Sequence, residues 1–144
     1  MKTVKHILQA KGQKVWSIAP DDSVYDALSL MADKEVGALL VLEAGRLVGI
    51  ISERDYARKV MLKGKSSLDT PVKEIMTQKV ICVRREQTIE ECMALMTDKH
   101  IRHLPVLEGD AVVGVVSIGD LVKAVMEEKD FMIKQLENYI TGDR

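Results

Sequence analysis

A chain of 144 residues has room for one compact domain or two very small ones. With 21 Lys and Arg against 22 Asp and Glu, its formal net charge is −1, so no general cationic field draws it to nucleic acid or acidic lipid. At 47% apolar and 30% charged it has a core to bury; its aromatic residues (Trp16, Tyr25, Tyr56, Phe131, Tyr139) leave that core aliphatic and are too few to stack a run of single-stranded bases.

The stretch from Met1 to His6 lacks the apolar segment of a secretory leader. No apolar run nears the ~20 residues that cross a bilayer, so a cytoplasmic protein without membrane partners is expected. Cys82 and Cys92 give neither a disulfide framework nor a CxxC metal site; they read as buried thiols, with a redox pair as the alternative. His6, His100 and His103 do not stand at metal-ligand spacing with them, so no metal is expected.

From the amino terminus, Val4 to Leu8 reads as a short helical lead-in. A short apolar strand, Val15 to Ile18, precedes a helix that opens on the capping pattern Ser23-Val-Tyr-Asp26 and carries Val24, Ala27, Leu28 and Met31 at helical spacing. Strands Ala38 to Leu42 and Leu47 to Ile51 flank the turn at Glu43-Ala-Gly45, and a second helix follows. Lys63-Gly-Lys-Ser-Ser67 is a polar linker, and Thr70-Pro71 predicts a linker helix over Val72 to Met76, with Thr as cap and Pro in the first turn.

The order then repeats. Sliding the sequence by 65 places aligns residues 15–60 with 80–125 without a gap, with 14 of 46 positions identical. The second copy has strand Val80 to Val83, cap Thr88-Ile-Glu-Glu91, helix positions Ile89, Cys92, Met93 and Met96, and strands Leu104 to Leu107 and Val112 to Val116 around Glu108-Gly-Asp110. A long helix runs from Asp120 to about Ile140, unbroken before Gly142. The predicted fold is α/β, two pseudo-twofold-related repeats, each a small sheet flanked by helices. Residues 1–68 form the first repeat with its lead-in helix, residues 69–144 the second with the linker helix and the long final helix, and together they make one compact module.

Gly49-Ile-Ile-Ser52-Glu-Arg-Asp55 and Gly114-Val-Val-Ser117-Ile-Gly-Asp120 each fall where a strand turns into a helix and end in Ser-x-x-Asp. One reading is a reciprocal helix cap that needs no ligand. The other starts from the same geometry: free N–H groups at a helix start, beside a Ser hydroxyl, suit a phosphate. The Asp carboxylate can accept both hydroxyls of a ribose, and flanking aliphatic strands offer a slot for a purine. The basic residues Arg54, Arg58, Lys59, Lys63 and Lys65 read as a solvated helix end, or alternatively as a phosphate guard or partner surface.

The doubled pattern, with Ser-Glu-Arg-Asp-Tyr-Ala-Arg-Lys at 52–59, Ile-Met-Thr at 75–77, Ile-Arg-His-Leu-Pro-Val at 101–106 and Val-Ser-Ile-Gly-Asp at 116–120, resembles a tandem pair of cystathionine-β-synthase (CBS) domains of the stand-alone kind. The resemblance implies binding of adenosine-containing ligands (AMP, ADP, ATP, NAD(H) or S-adenosylmethionine) in two clefts between the repeats. Asp120 and Asp55 would hold ribose, with Ser117 and Ser52 lining the sugar-phosphate region. Ser17, Ile18, Ala38 and Leu39 in one cleft, and Cys82, Val83, His103, Leu104 and Pro105 in the other, would hold adenine.

Arg102 and His103 are candidate phosphate ligands, since a charged partner makes a hydrogen bond stronger, ~1.5–3 kcal/mol. Gly119 would permit close approach beside Asp120, where the first repeat has Arg54, itself a candidate phosphate ligand; Asp120 ranks first as an occupied site and Asp55 second. The resemblance further implies a homodimer joined through exposed apolar residues of the capped helices, extended by the final helix with Phe131, Leu136 and Tyr139, and an unidentified regulated protein.

No nucleophile with a placed base and no Gly-x-Ser-x-Gly or dinucleotide loop occurs, so an enzyme is not expected. The rival readings are a ligand-independent dimeric interaction scaffold, redox-linked as in similar stand-alone plant proteins, and an adenylate-using hydrolase.

Overall fold

The computed structural model of the chain describes residues 2–12 and 14–141, with side chains as far as Glu137. In chain order come α1 (Val4–Lys11), β1 (Ser17–Ile18), α2 (Val24–Lys34), β2 (Ala38–Glu43), β3 (Arg46–Ser52) and α3 (Glu53–Tyr56). A 3-10 turn at Val72–Glu74 leads to α4 (Ile89–Lys99), β4 (His103–Glu108), β5 (Ala111–Ser117) and α5 (Ile118–Thr141).

The repeat seen in the sequence is repeated in register. Strands β2 and β3 pair antiparallel, Ala38 opposite Ser52 and Glu43 opposite Arg46, with an irregularity between Val41 and Leu42. Strands β4 and β5 pair His103 with Ser117 and Glu108 with Ala111, with the same irregularity between Val106 and Leu107. Ala44 and Gly45 both hold positive φ (51° and 78°), the left-handed geometry that lets a two-residue turn follow the twist of its strands.

The leading strands differ. Strand β1 lies parallel to β2 and completes a three-stranded sheet, held in part by Leu40 N–H donating to Trp16 O at 3.2 Å. In the second repeat the expected strand Val80 to Val83 is reduced to one bridge, Val83 to Val106. The residue matching Leu40 is Pro105, which has no N–H to give. The ladder keeps only the bonds that flank it, Val83 N–H to Pro105 O and Leu107 N–H to Val83 O, both 2.9 Å.

Two cores form, and they cross the chain order. Val4, Ile7 and Leu8 of α1 are buried with Val83, Ile89, Cys92, Met96, Leu104, Val116 and Leu121 of the second repeat. Val72 and Ile75 are buried with Val24, Ala27, Met31, Leu39, Val41, Ile51 and Val60 of the first. Backbone bonds fix the exchange: Val4 N–H to Gln87 O (2.9 Å) on one side, Val72 N–H to Asp22 O (2.8 Å) and Val24 N–H to Thr70 O (2.9 Å) on the other. Two glycines make room for it. A Cβ on Gly114 would stand 2.6 Å from Leu8 Cδ2, and one on Gly49 would stand 2.6 Å from Met76 Sδ and 3.0 Å from Thr77 O. Packing therefore crosses the 68/69 division of the sequence in both directions.

The linker helix expected over Val72 to Met76 is instead the three-residue turn, with Pro71 extended before it (φ −73°, ψ 149°). Its first donors are already engaged by the first repeat, Val72 N–H by Asp22 O and Lys73 N–H by Pro20 O. Thr70 does not cap; its hydroxyl donates to Ser66 O at 2.6 Å.

The helices after the hairpins also differ. Helix α3 passes after four residues into one π-helical turn at Ala57–Met61, whereas α5 runs for 24 residues. Leu121 and Ala124 tie α5 to the core, and beyond them Met126, Phe131, Met132, Ile133 and Leu136 are exposed. The side chain of Tyr139 lies outside the described residues. The capped helices α2 and α4 bury Val24, Ala27, Met31, Ile89, Cys92 and Met96 and leave Tyr25 exposed, so exposed apolar surface gathers mainly on α5 rather than on them. Among the described residues no helix is long and apolar enough to cross a membrane.

Candidate functional site

Strands β3 and β5 each end on a serine that caps the next helix. At the first junction Asp55 N–H donates to Ser52 Oγ (3.2 Å), while Ser52 N–H and Oγ–H donate to Asp55 Oδ2 (3.0 and 3.1 Å). At the second, Asp120 N–H donates to Ser117 Oγ (3.2 Å) and Ser117 N–H to Asp120 Oδ2 (2.8 Å). Both motifs are thus reciprocal capping boxes, satisfied by their own backbone.

Each carboxylate also meets a lysine. Lys59, one turn along the same helical stretch, lies 3.2 Å from Asp55 Oδ1. Lys11, from the end of α1, donates to Asp120 Oδ2 at 2.7 Å and to Val115 O at 2.9 Å. Burial alone would push the Asp120 carboxyl up, but the Lys11 ammonium and the Ser117 bonds outweigh it and hold Asp120 below the usual carboxylate range. Every bond described at Asp120 falls on Oδ2, so among the described residues Oδ1 keeps its acceptor capacity.

Two clefts open between the repeats. The Asp120 cleft, of about 470 Å³, sets Ser117, Val115 and His103 of the second repeat against Trp16, Val36, Gly37, Ala38, Leu40 and Ile50 of the first, with Lys11, Lys14 and Glu35 as further charged groups. The Asp55 cleft, of about 340 Å³, sets Ser52, Glu53, Arg54 and Arg58 against Lys79, Val80, Ile81 and the run His100 to His103. Gly37, Ile50 and His103 line both. Burial, with Lys11 and Arg102 nearby, lowers the His103 pKa against the pull of Asp120, so the shared ring is neutral near pH 7. Trp16 stands in the Asp120 cleft with Lys34 Nζ 4.6 Å from its ring centre.

Of the residues singled out from sequence, Asp120, Ser117, Ala38 and His103 meet in the first cleft, and Asp55, Ser52, Arg54, Arg102 and His103 in the second. Leu39, Leu104 and Val83 are buried in the cores, and Pro105 is buried as well. Ser17, Ile18, Cys82 and Gly119 do not line either cleft. A Cβ on Gly119 would meet only Ser117 Oγ, at an ordinary 3.6 Å.

The wall residues not singled out include Trp16 and Ile81, one place before Ser17 and Cys82. In extended chain a one-residue step faces the opposite way, so the neighbour takes the cleft. The 65-residue offset holds the signal, for it pairs Trp16 with Ile81, Lys14 with Lys79 and Val36 with Ile101. Lys11 carries no such signal, because it reaches Asp120 only through the exchange of α1.

Cys82 is partly buried and Cys92 fully, and both are free. Burial pushes both thiols up against a weaker opposing pull of Arg84 at Cys82, and with Glu91 it takes Cys92 to about 11. Neither is a thiolate at neutral pH, so neither is an activated nucleophile. No group of three or more His, Cys, Asp or Glu gathers as a metal site among the described residues.

The two strand-helix-hairpin units coincide with two matches to one known family. The chain belongs to the CBS domain family, which matches residues 4–62 and again 72–127. It is similar to the CBS domain-containing protein CBSX3, mitochondrial, of Arabidopsis thaliana, 42% identical over an alignment 150 positions long, gaps included, that covers 97% of this chain and 72% of that protein. Among solved structures, a protein with CBS domains from Burkholderia ambifaria is 52% identical with a TM-score of 0.86, over 88% of this chain and 95% of that one. The CBS domain pair of protein MJ0100, solved in complex with 5′-methylthioadenosine and S-adenosyl-L-methionine, is 25% identical with a TM-score of 0.79, over 89% and 98%.

Proposed function

We propose that the chain is a regulatory module that takes adenosine-containing ligands, of the AMP, ADP, ATP or NAD(H) class, and controls a partner protein through the packing of its repeats. The observation that carries this reading is the double one at the junctions: each cleft pairs a Ser-x-x-Asp helix start from one repeat with an aliphatic wall from the other. Asp120 and Asp55 accept ribose hydroxyls, beside Ser117 and Ser52. Arg54, Arg102 and His103 meet phosphate, and Trp16, Val36 and Ala38, or Val80, Ile81 and Ile101, enclose adenine. The adenosyl compounds bound by the MJ0100 pair support the ligand class. Because both repeats build each cleft, a ligand that fits one packing better than another shifts their balance. We read the chain as a binding protein rather than an enzyme.

Calorimetry with AMP, ADP, ATP, NAD(H) and S-adenosylmethionine tests this, alongside fluorescence of Trp16, the sole tryptophan, which stands in the Asp120 cleft. Losing a charged hydrogen-bond acceptor costs ~1.5–3 kcal/mol, so Asp120→Ala should weaken the site that Trp16 reports by about tenfold or more. A folded wild-type protein that gives no heat with any of these compounds overturns the reading.

The exposed apolar residues of α5 favour a second element, a homodimer joined along that helix. Sedimentation should then show a dimer that Met126→Lys with Ile133→Lys reduces to monomer. A dimer that binds no adenosyl compound would make the chain an interaction scaffold instead.

A further inference from the structure

The pseudo-twofold carries charge from one cleft to the other only in part: it matches Lys79 with Lys14, Arg58 with Lys123 and Asp55 with Asp120, and leaves the other charged positions unmatched. Where the Asp120 cleft has Glu35 and Gly37, the matching positions at the Asp55 cleft are His100 and Arg102, and where Gly119 follows Ser117, Arg54 follows Ser52. The Asp55 cleft therefore sets Arg54, Arg58, Lys79 and Arg102 against Glu53 and Asp55. The Asp120 cleft sets Lys11 and Lys14 against Glu35 and Asp120, and the Lys11 ammonium is already held by Asp120 and Val115 O.

The Asp55 cleft also continues outward. An open groove of about 670 Å³ shares Arg54, Arg58, His100, Ile101 and Arg102 with it and adds Met96, Thr97 and Ile118, with no carboxylate in its lining. Arg54 Nη1 donates to His100 O at 3.3 Å, which braces the junction of cleft and groove. Arg58 and Arg102 are exposed, and among the described residues no hydrogen bond or ion pair holds either guanidinium. On the other side, the hollow beside Asp120 holds Lys2, Lys123 and Glu127, with Lys2 Nζ 3.7 Å from Glu127.

We infer that the two clefts sort ligands by charge: the Asp55 cleft and its outer groove take a di- or triphosphate chain, and the Asp120 cleft takes a neutral or singly phosphorylated nucleoside. Guanidinium groups bind phosphate through paired, charge-assisted hydrogen bonds, and free ones give up no existing partner to do so. The nucleoside half of this assignment rests on the adenosyl reading; the phosphate half stands on the cationic groove alone.

The test titrates adenosine, AMP, ATP and inorganic tripolyphosphate by calorimetry into wild type and the double variant Arg58→Gln with Arg102→Gln, at low and high salt. Both arginines are exposed, and an unchanged unfolding midpoint confirms the variant's fold. In wild type ATP should bind one site about tenfold or more tighter than adenosine, and this gain should shrink with salt. The double variant should lose the gain and the tripolyphosphate site, with adenosine held to within about threefold. Tripolyphosphate should leave Trp16 fluorescence unchanged. ATP binding that the double substitution does not weaken, or a Trp16 response to tripolyphosphate at the same concentrations, overturns the sorting and leaves the adenosyl reading standing. Tripolyphosphate binding that the double substitution abolishes, in a protein that takes no adenosine or AMP, upholds the groove and overturns the adenosyl reading.

Discussion

The Asp55 and Asp120 junctions are written in the same local code and depend on different parts of the molecule. Lys59, which meets Asp55, sits four residues along the same helical stretch, so that junction closes on itself. Lys11, which meets Asp120, arrives from 109 residues away, on a helix held in the second core by Val4, Ile7 and Leu8. A Ser-x-x-Asp motif thus fixes a cap but not what controls the carboxylate. Disturbing α1 should reach Asp120 and leave Asp55 as it was.

The largest expected effect attacks that docking. Leu8→Ala empties a buried position and should cost about 2–5 kcal/mol in denaturant unfolding. Gly114→Ala, whose new methyl meets Leu8, should cost about 1–3 kcal/mol alone and clearly less when Leu8 is already alanine. Strictly additive costs would show that Leu8 does not pack against Gly114.

Smaller effects come from the charged groups. Lys11→Met should lower stability by less than about 1 kcal/mol, since the lysine is more than a third exposed and water screens the pair. It should also return the Asp120 carboxyl toward the ordinary range in a nuclear magnetic resonance titration, whereas Lys59→Met should leave Asp120 unmoved. Because the folded Asp120 is held low, its stabilisation is present above the unfolded pKa of 3.8 and is lost as pH falls through the lower folded value.

His103 gives a milder acid dependence at higher pH. Its folded pKa lies below 6.5, so on acidification the unfolded chain takes the proton first and stability begins to fall near that pH. His103→Gln should flatten this part of the stability profile; an unchanged profile would remove His103 as its source. The smallest effect is at the thiols. At pH 8 an alkylating reagent should modify Cys82 before Cys92, which is buried and titrates at about 11.

The hairpins, the capped helices and the Ser-x-x-Asp junctions were legible because each is a local matter of alternation, capping and turn residues, and the 65-residue offset doubled every signal. The facing of Ser17 and Cys82 away from the clefts is not legible, since a strand of two paired residues, or a single bridge, is too short to reveal it. Composition could not show that Pro105 would interrupt the second ladder, nor that the donors of Val72 and Lys73 would be spent on Asp22 and Pro20 and leave no helix to cap. Lys11 was invisible for a different reason: its role exists only after α1 has crossed to the far repeat.

That crossing governs what happens when the chain is cut. Leu62 and Leu68 are largely exposed, 79% and 66%, so a protease has access to the connection between the halves. A nick there would not free two daughters, because each fragment still plugs the interior of the other. A fragment beginning at residue 69 would lack Val4, Ile7 and Leu8 and so leave a hole at the centre of its own core.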